Sequence, residues 1–409
     1  MNGSVLPTIR ALQQRGVILH APQTVHVDPS ISPDRIAPGV EIHPGCRISG
    51  KETSIGPECV IGGEGPVTLD DAQLGARVEL KAGFFSGATF LDGASMGSGA
   101  HVRPGTLLEE DASGAHTVGF KQTVLMSFVT TGSLINFCDC LMSGGTNRRK
   151  HSEVGSSYVH FNFTPHQDKA TASLIGDVPR GVMLDQPPIF LGGQGGIVGP
   201  ARVEFGCLIP AGAILREDAL EANKIIYPRP LPTGETKPYS TGAYRDIRRI
   251  VVNNLIYLGN IRALRCWYAF VRRGHLLRTP HGEACYEGAL QQLKIIETER
   301  LGRLREFANK LEHSIELLEG HPVAERWQRD QKHFLDCWPA IETKLHVDEC
   351  ENVGARDRDE ILNAISRASH GAGYVEMIQS LPPAAKQAGT RWLRAVVDSV
   401  ASAWQPAAA

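Results

Sequence analysis

Aliphatic residues recur at a spacing of six through the first half of the chain, in a register that runs Ile36, Ile42, Ile48, Ile55, Ile61, Val67, Leu74 and Leu80 with an occasional step of seven. It resumes at Phe90, Met96, Val102 and Leu108, passes Val118 and Val124, and closes with Ile197, Val203, Ile209 and Leu215. Glycine directly follows the aliphatic at Ile55, Ile61, Leu74, Met96, Val118, Val154, Ile175 and Val198, which suits corners too tight for a side chain. A period of six belongs neither to an alternating strand nor to a helix. Three six-residue edges make one triangular coil, each edge turns an aliphatic inward, and stacked coils bury a column that no single repeat can bury. A sandwich or barrel would instead alternate with period two between turn signals. The spacing predicts a parallel β-helix over residues 21–226, preceded by a short segment, 1–20.

The breaks in the register are also informative. Ten-residue steps separate Leu80 from Phe90 and Leu108 from Val118, and the period weakens from Phe128 to Phe190. These places are expected to hold looped-out insertions, where sites are commonly built on a rigid scaffold. Beyond a Pro-rich linker, "YPRPLPTGETKPYS" at residues 227–240, the apolar spacing becomes helical. Ile247, Ile250, Val251, Leu255 and Leu258 form one such stripe; Leu290, Leu293, Ile296, Leu301, Leu304, Phe307, Leu311 and Ile315 form another. Two further blocks, 323–345 and 356–404, continue it with an interruption at Pro382-Pro383. Residues 241–409 are therefore predicted to form an α-helical domain.

Composition narrows the function classes. With 409 residues and a formal charge of −2, the chain has no bias toward nucleic acid or an anionic membrane. Arg245, Arg248, Arg249, Arg262, Arg265, Arg272 and Arg273 lie on amphipathic helices, and their plain reading is solvated or paired arginines, not a nucleic-acid face. No uncharged apolar run is long enough to span a bilayer and the N-terminus lacks a leader pattern, so a cytoplasmic protein is expected. Nine cysteines without a CxxC pair or a His-x-His spacing point to reduced thiols and to no metal site.

The densest polar chemistry lies in "EVGSSYVHFNFTPHQDKATASLIGD", residues 153–177, where His160, Asn162, His166 and Lys169 interrupt the repeat. This stretch belongs with "VRPGTLLEE" at 102–110, "EVGSSYVHFNFTP" at 153–165, "SLIGD" at 173–177 and "IPAGAILRED" at 209–218. Together they resemble the left-handed β-helix of the hexapeptide-repeat acyltransferases. More particularly they resemble the acetyltransferase half of the bifunctional N-acetylglucosamine-1-phosphate uridyltransferase and glucosamine-1-phosphate acetyltransferase, and related bacterial proteins named UDP-N-acetylglucosamine pyrophosphorylases. The resemblance implies left-handed winding, a homotrimer with its pocket between subunits, acetyl-CoA as donor, and a sugar nucleotide or phosphorylated amino sugar as ligand.

Carried over residue by residue, the resemblance makes Arg103 a phosphate-holding arginine and Asn162 the asparagine bordering the pocket, with Phe163 replacing a tyrosine. The family's catalytic histidine would fall near Asn136 or Phe137 and a substrate-binding lysine near Ser127, where this chain has neither. Nucleotidyl transfer is not expected, because the solenoid pattern begins without a preceding nucleotide-binding domain.

Acetyl transfer needs a base for the acceptor's proton, and histidine suits that work. His160 is one candidate; it occupies the next aliphatic position after Val154 and reads equally well as a buried histidine bonded to a carbonyl. His166 and Lys169 lie in "TPHQDKATA", either within reach of an adjacent subunit's pocket or simply hydrated. His151, following "NRRK", joins a basic pocket for a phosphorylated ligand or ends an exposed charge run. "FLGGQGG", residues 190–196, lacks the Lys and Ser/Thr of a phosphate loop, and coil corners need glycines in any case. Two functional readings remain. One is an acyltransferase-like protein acting on an amino-sugar ligand; the other is a non-catalytic solenoid that binds a sugar nucleotide or serves as a scaffold after losing the family base.

Overall fold

The computed structural model describes residues 5–156, 158–159, 169–236, 239–319, 325–347, 350, 352–368 and 373–406. His160, Asn162, Phe163 and His166 lie outside the described residues. Helix α1 (Val5–Gln14) comes first, and its Ile9 and Leu12 are buried in the solenoid's apolar column. Parallel strands of two to seven residues then stack as coils. One face is a ten-stranded sheet running from Ile18–Leu19 to Leu208–Ile209. The other two faces merge into a single sheet, because strands 119–125 and 136–142 run through a corner without breaking. Within them Gln122 (φ 49°) and Asp139 (φ 52°) make the bend in left-handed backbone.

The inward column agrees with the six-residue register at Ile42, Ile48, Ile55, Ile61, Leu74 and Leu80, all fully buried. Two of the expected insertions are absent. Between Leu80 and Phe90 the chain makes two five-residue steps, with Phe85 supplying the inward residue opposite Leu69 and Val102. Between Leu108 and the next coil, Gly114 takes the inward place opposite Met96 and Thr131. Five-residue steps carry Phe85 out of the six-residue register, and neither glycine nor threonine marks a core position in the sequence pattern. Phe120 and Leu125, rather than Val118 and Val124, continue the register; Leu69 likewise pairs with Ile48 two residues after Val67. Insertions do leave the coil later, as an antiparallel hairpin (Gly145–Asn147 with Lys150–His151) and as the short helix α2 (Val178–Gly181).

The C-terminal half is helical, with α3 (Arg248–Trp267) running through a π-turn at Tyr268–Arg272 into α4 (Arg273–Leu276). There follow α5 (Gly282–Leu317), α6 (Glu325–His346), α7 (Ala355–Arg367), α8 (Tyr374–Gln379) and α9 (Pro383–Ala401). These helices lie against the solenoid. Leu107, Val124, Leu141 and Leu174 point outward from successive coils and share one buried cluster with Ile261, Trp267, Leu293 and Trp392.

Charges are buried in the same seam. Arg272 sits between Glu109 (3.0 Å) and Glu110, the Tyr268 hydroxyl donates to Glu109 at 3.0 Å, and the Tyr374 ring centre lies 3.5 Å from the guanidinium. Burial pushes both carboxyls up and the Arg272 charge pulls them down. Glu110, which also accepts a hydrogen bond from Arg272, ends below the ordinary value, and Glu109 ends above it. Arg248 likewise pairs with Asp330, and Arg262 and Arg265 with Glu297. Removing one partner of such a pair strands a buried charge, so these contacts position the helices more than they add net stability.

One cysteine expectation is overturned. Cys266 at the end of α3 is disulfide-linked to Cys350, 84 positions further along the sequence, with Cα atoms 5.4 Å apart. Proximity created by folding leaves no spacing motif. The other seven cysteines are free thiols.

Candidate functional site

On the second face of the solenoid, residues opposite one another on successive coils form straight rows. Val102, Phe120, Phe137 and Val159 make one row; Phe120 and Phe137 are fully buried. The row one residue earlier contains Phe84, His101, Gly119, Asn136 and Tyr158. Because successive side chains in a strand alternate sides, the described residues flanking an inward one turn away from the column. The following row is Arg103, Lys121 and Cys138: the Arg103 amide donates to the Phe120 carbonyl at 3.0 Å, and Lys121 lies opposite Cys138. Two cations one coil apart thus stand on the open face beside an amide and a thiol. The Phe84 and His101 rings stack next to them at 5.0 Å.

The Cys138 thiol donates to Asn136 Oδ1 at 3.2 Å, and Arg103 Nη2 approaches its sulfur at 3.9 Å. Burial pushes this thiol up, Asp139 adds to the effect, and Arg103 and Lys121 oppose it. It is protonated near neutral pH and is a poor base.

Helix α5 fixes the corner behind the row. Its Arg300, fully buried, donates to Gln122 Oε1 at 2.9 Å, pairs with Asp139 at 3.0 Å and donates to the Lys169 carbonyl at 3.0 Å. One guanidinium therefore ties together the bends of two coils and the chain at Lys169. Nearby, Glu299 is held low: burial opposes this, but a hydrogen bond from Arg303 and the charges of Arg303, Arg300 and Lys121 prevail. Between α5 and the solenoid lies a cavity of about 470 Å³ that reaches Pro104, the neighbour of Arg103. Glu52, Asp71 and Glu287 line it with Arg35, a balance unfavourable to a phosphate.

Of the residues read from sequence, Arg103 is exposed on this face and Lys169 is exposed beside the Arg300 clamp. His151 belongs elsewhere. It sits in the hairpin, with Nδ1 2.9 Å from the Arg148 carbonyl and Nε2 3.7 Å from Glu153, whose strand is part of the first face. Ser127, where the resemblance would put a lysine, is buried and donates to Glu110 at 3.0 Å. Lys121 and Cys138 were missed. The available signal was coil length, since Lys121 follows Arg103 by 18 residues and Cys138 follows Lys121 by 17.

The chain is 28% identical over 212 residues to the bifunctional protein GlmU of Nitratidesulfovibrio vulgaris, covering 52% of this chain and 41% of that one. It is 30% identical over 206 residues to the protein of the same name from Thermus thermophilus, covering 50% and 40%. Its solenoid half resembles the hexapeptide-repeat transferases. The chain spans about two-fifths of the length of these curated relatives. No protein-family profile matches it. Among solved structures, LpxA from Acinetobacter baumannii aligns over 49% of this chain and 68% of its own at 14% identity, with a TM-score of 0.17, too loose an overlay to carry an argument. No helix among the described residues is long and apolar enough to cross a membrane.

Proposed function

We propose that this protein is an acyltransferase-like enzyme of the cytoplasm whose ligand is a sugar nucleotide or phosphorylated amino sugar, with acetyl-CoA as donor. The observation that carries the proposal is the row Arg103–Lys121–Cys138 on the open face of the solenoid. Arginine offers a bidentate fork to a phosphate and lysine a mobile point charge, and rigid coils hold the two at a fixed separation. Asn136 and Lys169 add polar contacts at the margins, and Asn162 and Phe163 are assigned to the same pocket. His160 and His166 are the proposed bases; the strand Tyr158–Val159, next to His160, pairs with Asn136–Phe137 on this face. A second copy of the chain completes the pocket.

The Cys138 thiol favours a second reading. Burial raises it, so it is a poor base, which suits a module that binds a sugar nucleotide without transforming it. Thermal-shift titration separates the two, since a ligand selective for the native state raises the melting temperature. UDP-N-acetylglucosamine and acetyl-CoA should each stabilise the full chain, and Arg103→Ala and Lys121→Ala should abolish the sugar-nucleotide shift. His160→Ala or His166→Ala should lower thioester-dependent turnover by about 10²–10⁴, while Arg103→Ala chiefly raises KM. Sugar-nucleotide binding with neither acetyl-CoA binding nor thioester cleavage selects the second reading.

A further inference from the structure

Far from the Arg103 row in sequence, three side chains with metal-ligating atoms meet on the first two coils. The strand Ile18–Leu19 pairs in parallel with Glu41–Ile42, Leu19 opposite Ile42. Ile42 is fully buried and Leu19 packs against the same column, so the flanking residues turn outward. His20 therefore lies over His43, with ring centres 4.3 Å apart and planes 28° from parallel. Glu41 faces the same side, its Oε2 3.2 Å from His20 Nε2. One donor atom from each of His20, Glu41 and His43 lies within 4.8 Å of the other two. The main chain beneath them is pinned, with the His20 amide donating to Ile42 (3.2 Å) and the His43 amide to Ile61 (2.9 Å).

We propose that His20, Glu41 and His43 bind one Zn²⁺ ion, which clamps the first coil of the solenoid to the second. Two imidazoles and one carboxylate form a donor set that zinc accepts, with water completing four-coordination. Metal–ligand distances of about 2.0–2.2 Å place neighbouring donors of a tetrahedron about 3.3–3.5 Å apart. The His20–Glu41 pair, at 3.2 Å, already has nearly that separation, and the His43 donor lies within 4.8 Å of both, so an ion would draw the rings out of their stacked arrangement to aim a nitrogen from each at it. The position suits a clamp. A terminal coil has a neighbour on one side only, so a solenoid loosens first at its ends, and α1 is the other element that closes this end. His20 is more than twenty residues from Glu41 and His43 in sequence and meets them only through coil stacking, so no spacing motif announces the three together.

The test uses tag-free, full-length protein. Calorimetry with Zn²⁺ should give one ion per chain, and thermal shift should show a raised melting temperature. Both effects should weaken about tenfold or more in affinity in His43→Ala and in the nearly isosteric Glu41→Gln, provided circular dichroism confirms an unchanged fold. Co²⁺ loaded in place of Zn²⁺ should give visible ligand-field absorption without a thiolate charge-transfer band. The assignment is overturned by an absence of saturable Zn²⁺ binding, by binding that survives both substitutions, or by a thiolate band, which would place the ion on the free cysteines.

Discussion

His275 and His281, both at the seam between helices and solenoid, are held below the usual histidine range. For His275 burial is the main cause and the Arg272 charge adds to it; for His281 burial again leads, followed by Arg15 and Arg35. The folded state keeps both neutral where the unfolded chain would already take a proton. Their contribution to stability is thus complete above the unfolded value of about 6.5 and is lost as pH falls through it toward the folded values. Melting temperature should therefore decline as pH is lowered from about 7 to about 5. His281 bonds the Ser54 hydroxyl and starts α5 from left-handed backbone (φ 60°), a conformation asparagine tolerates. His281→Asn should flatten the decline while leaving stability near pH 8 almost unchanged; parallel melting curves for the two proteins would refute the assignment.

At the scale of elements, α5 owes its close approach to Gly288. A methyl group there would collide with Gln73 Oε1 and Thr89 Oγ1, two groups already hydrogen-bonded to each other at 2.9 Å. Gly288→Ala would improve the helix's own propensity yet should destabilise the protein by about 1–3 kcal/mol through overpacking. A neutral or raised urea midpoint would show that α5 shifts at no cost. The inward column gives a complementary expectation. Ile42, Ile55, Ile61 and Ile209 are at most 3% exposed, so truncating any one to alanine should cost about 2–5 kcal/mol. Unchanged denaturant midpoints would mean that the column tolerates cavities, against the packing described above.

For the whole molecule the open question is assembly. On the first face Phe190, Leu208 and Ile225 stand one above another on the last coils, 39%, 37% and 57% exposed. An apolar ladder of this kind is poorly suited to remain in water, and cyclic closure of three copies would cover it equally in each. We expect a homotrimer in sedimentation at micromolar concentration. Leu208→Glu should move the distribution toward monomers; a wild-type monomer at that concentration would remove the inter-subunit pocket from the functional proposal.

The six-residue period and the change to helical spacing after residue 240 were legible from the order of residues alone. Each rests on local rules: an aliphatic every edge and a stripe every turn. The coil in which Phe85 falls after a five-residue step, and those in which Gly114 and Thr131 replace the aliphatic, were not legible, because an altered step or a buried small or polar residue looks like a break until its neighbours in the stack are known. The same limit hid Lys121 and Cys138, which become neighbours of Arg103 only when one full coil is wound between them. It also hid the Arg272 and Arg300 clamps and the Cys266–Cys350 link, whose partners lie tens to hundreds of residues apart. Periodicity records what each residue does for its own coil; contacts between coils, and between coils and helices, exist only after the chain has stacked, and there the charged row and the buried ion pairs are decided.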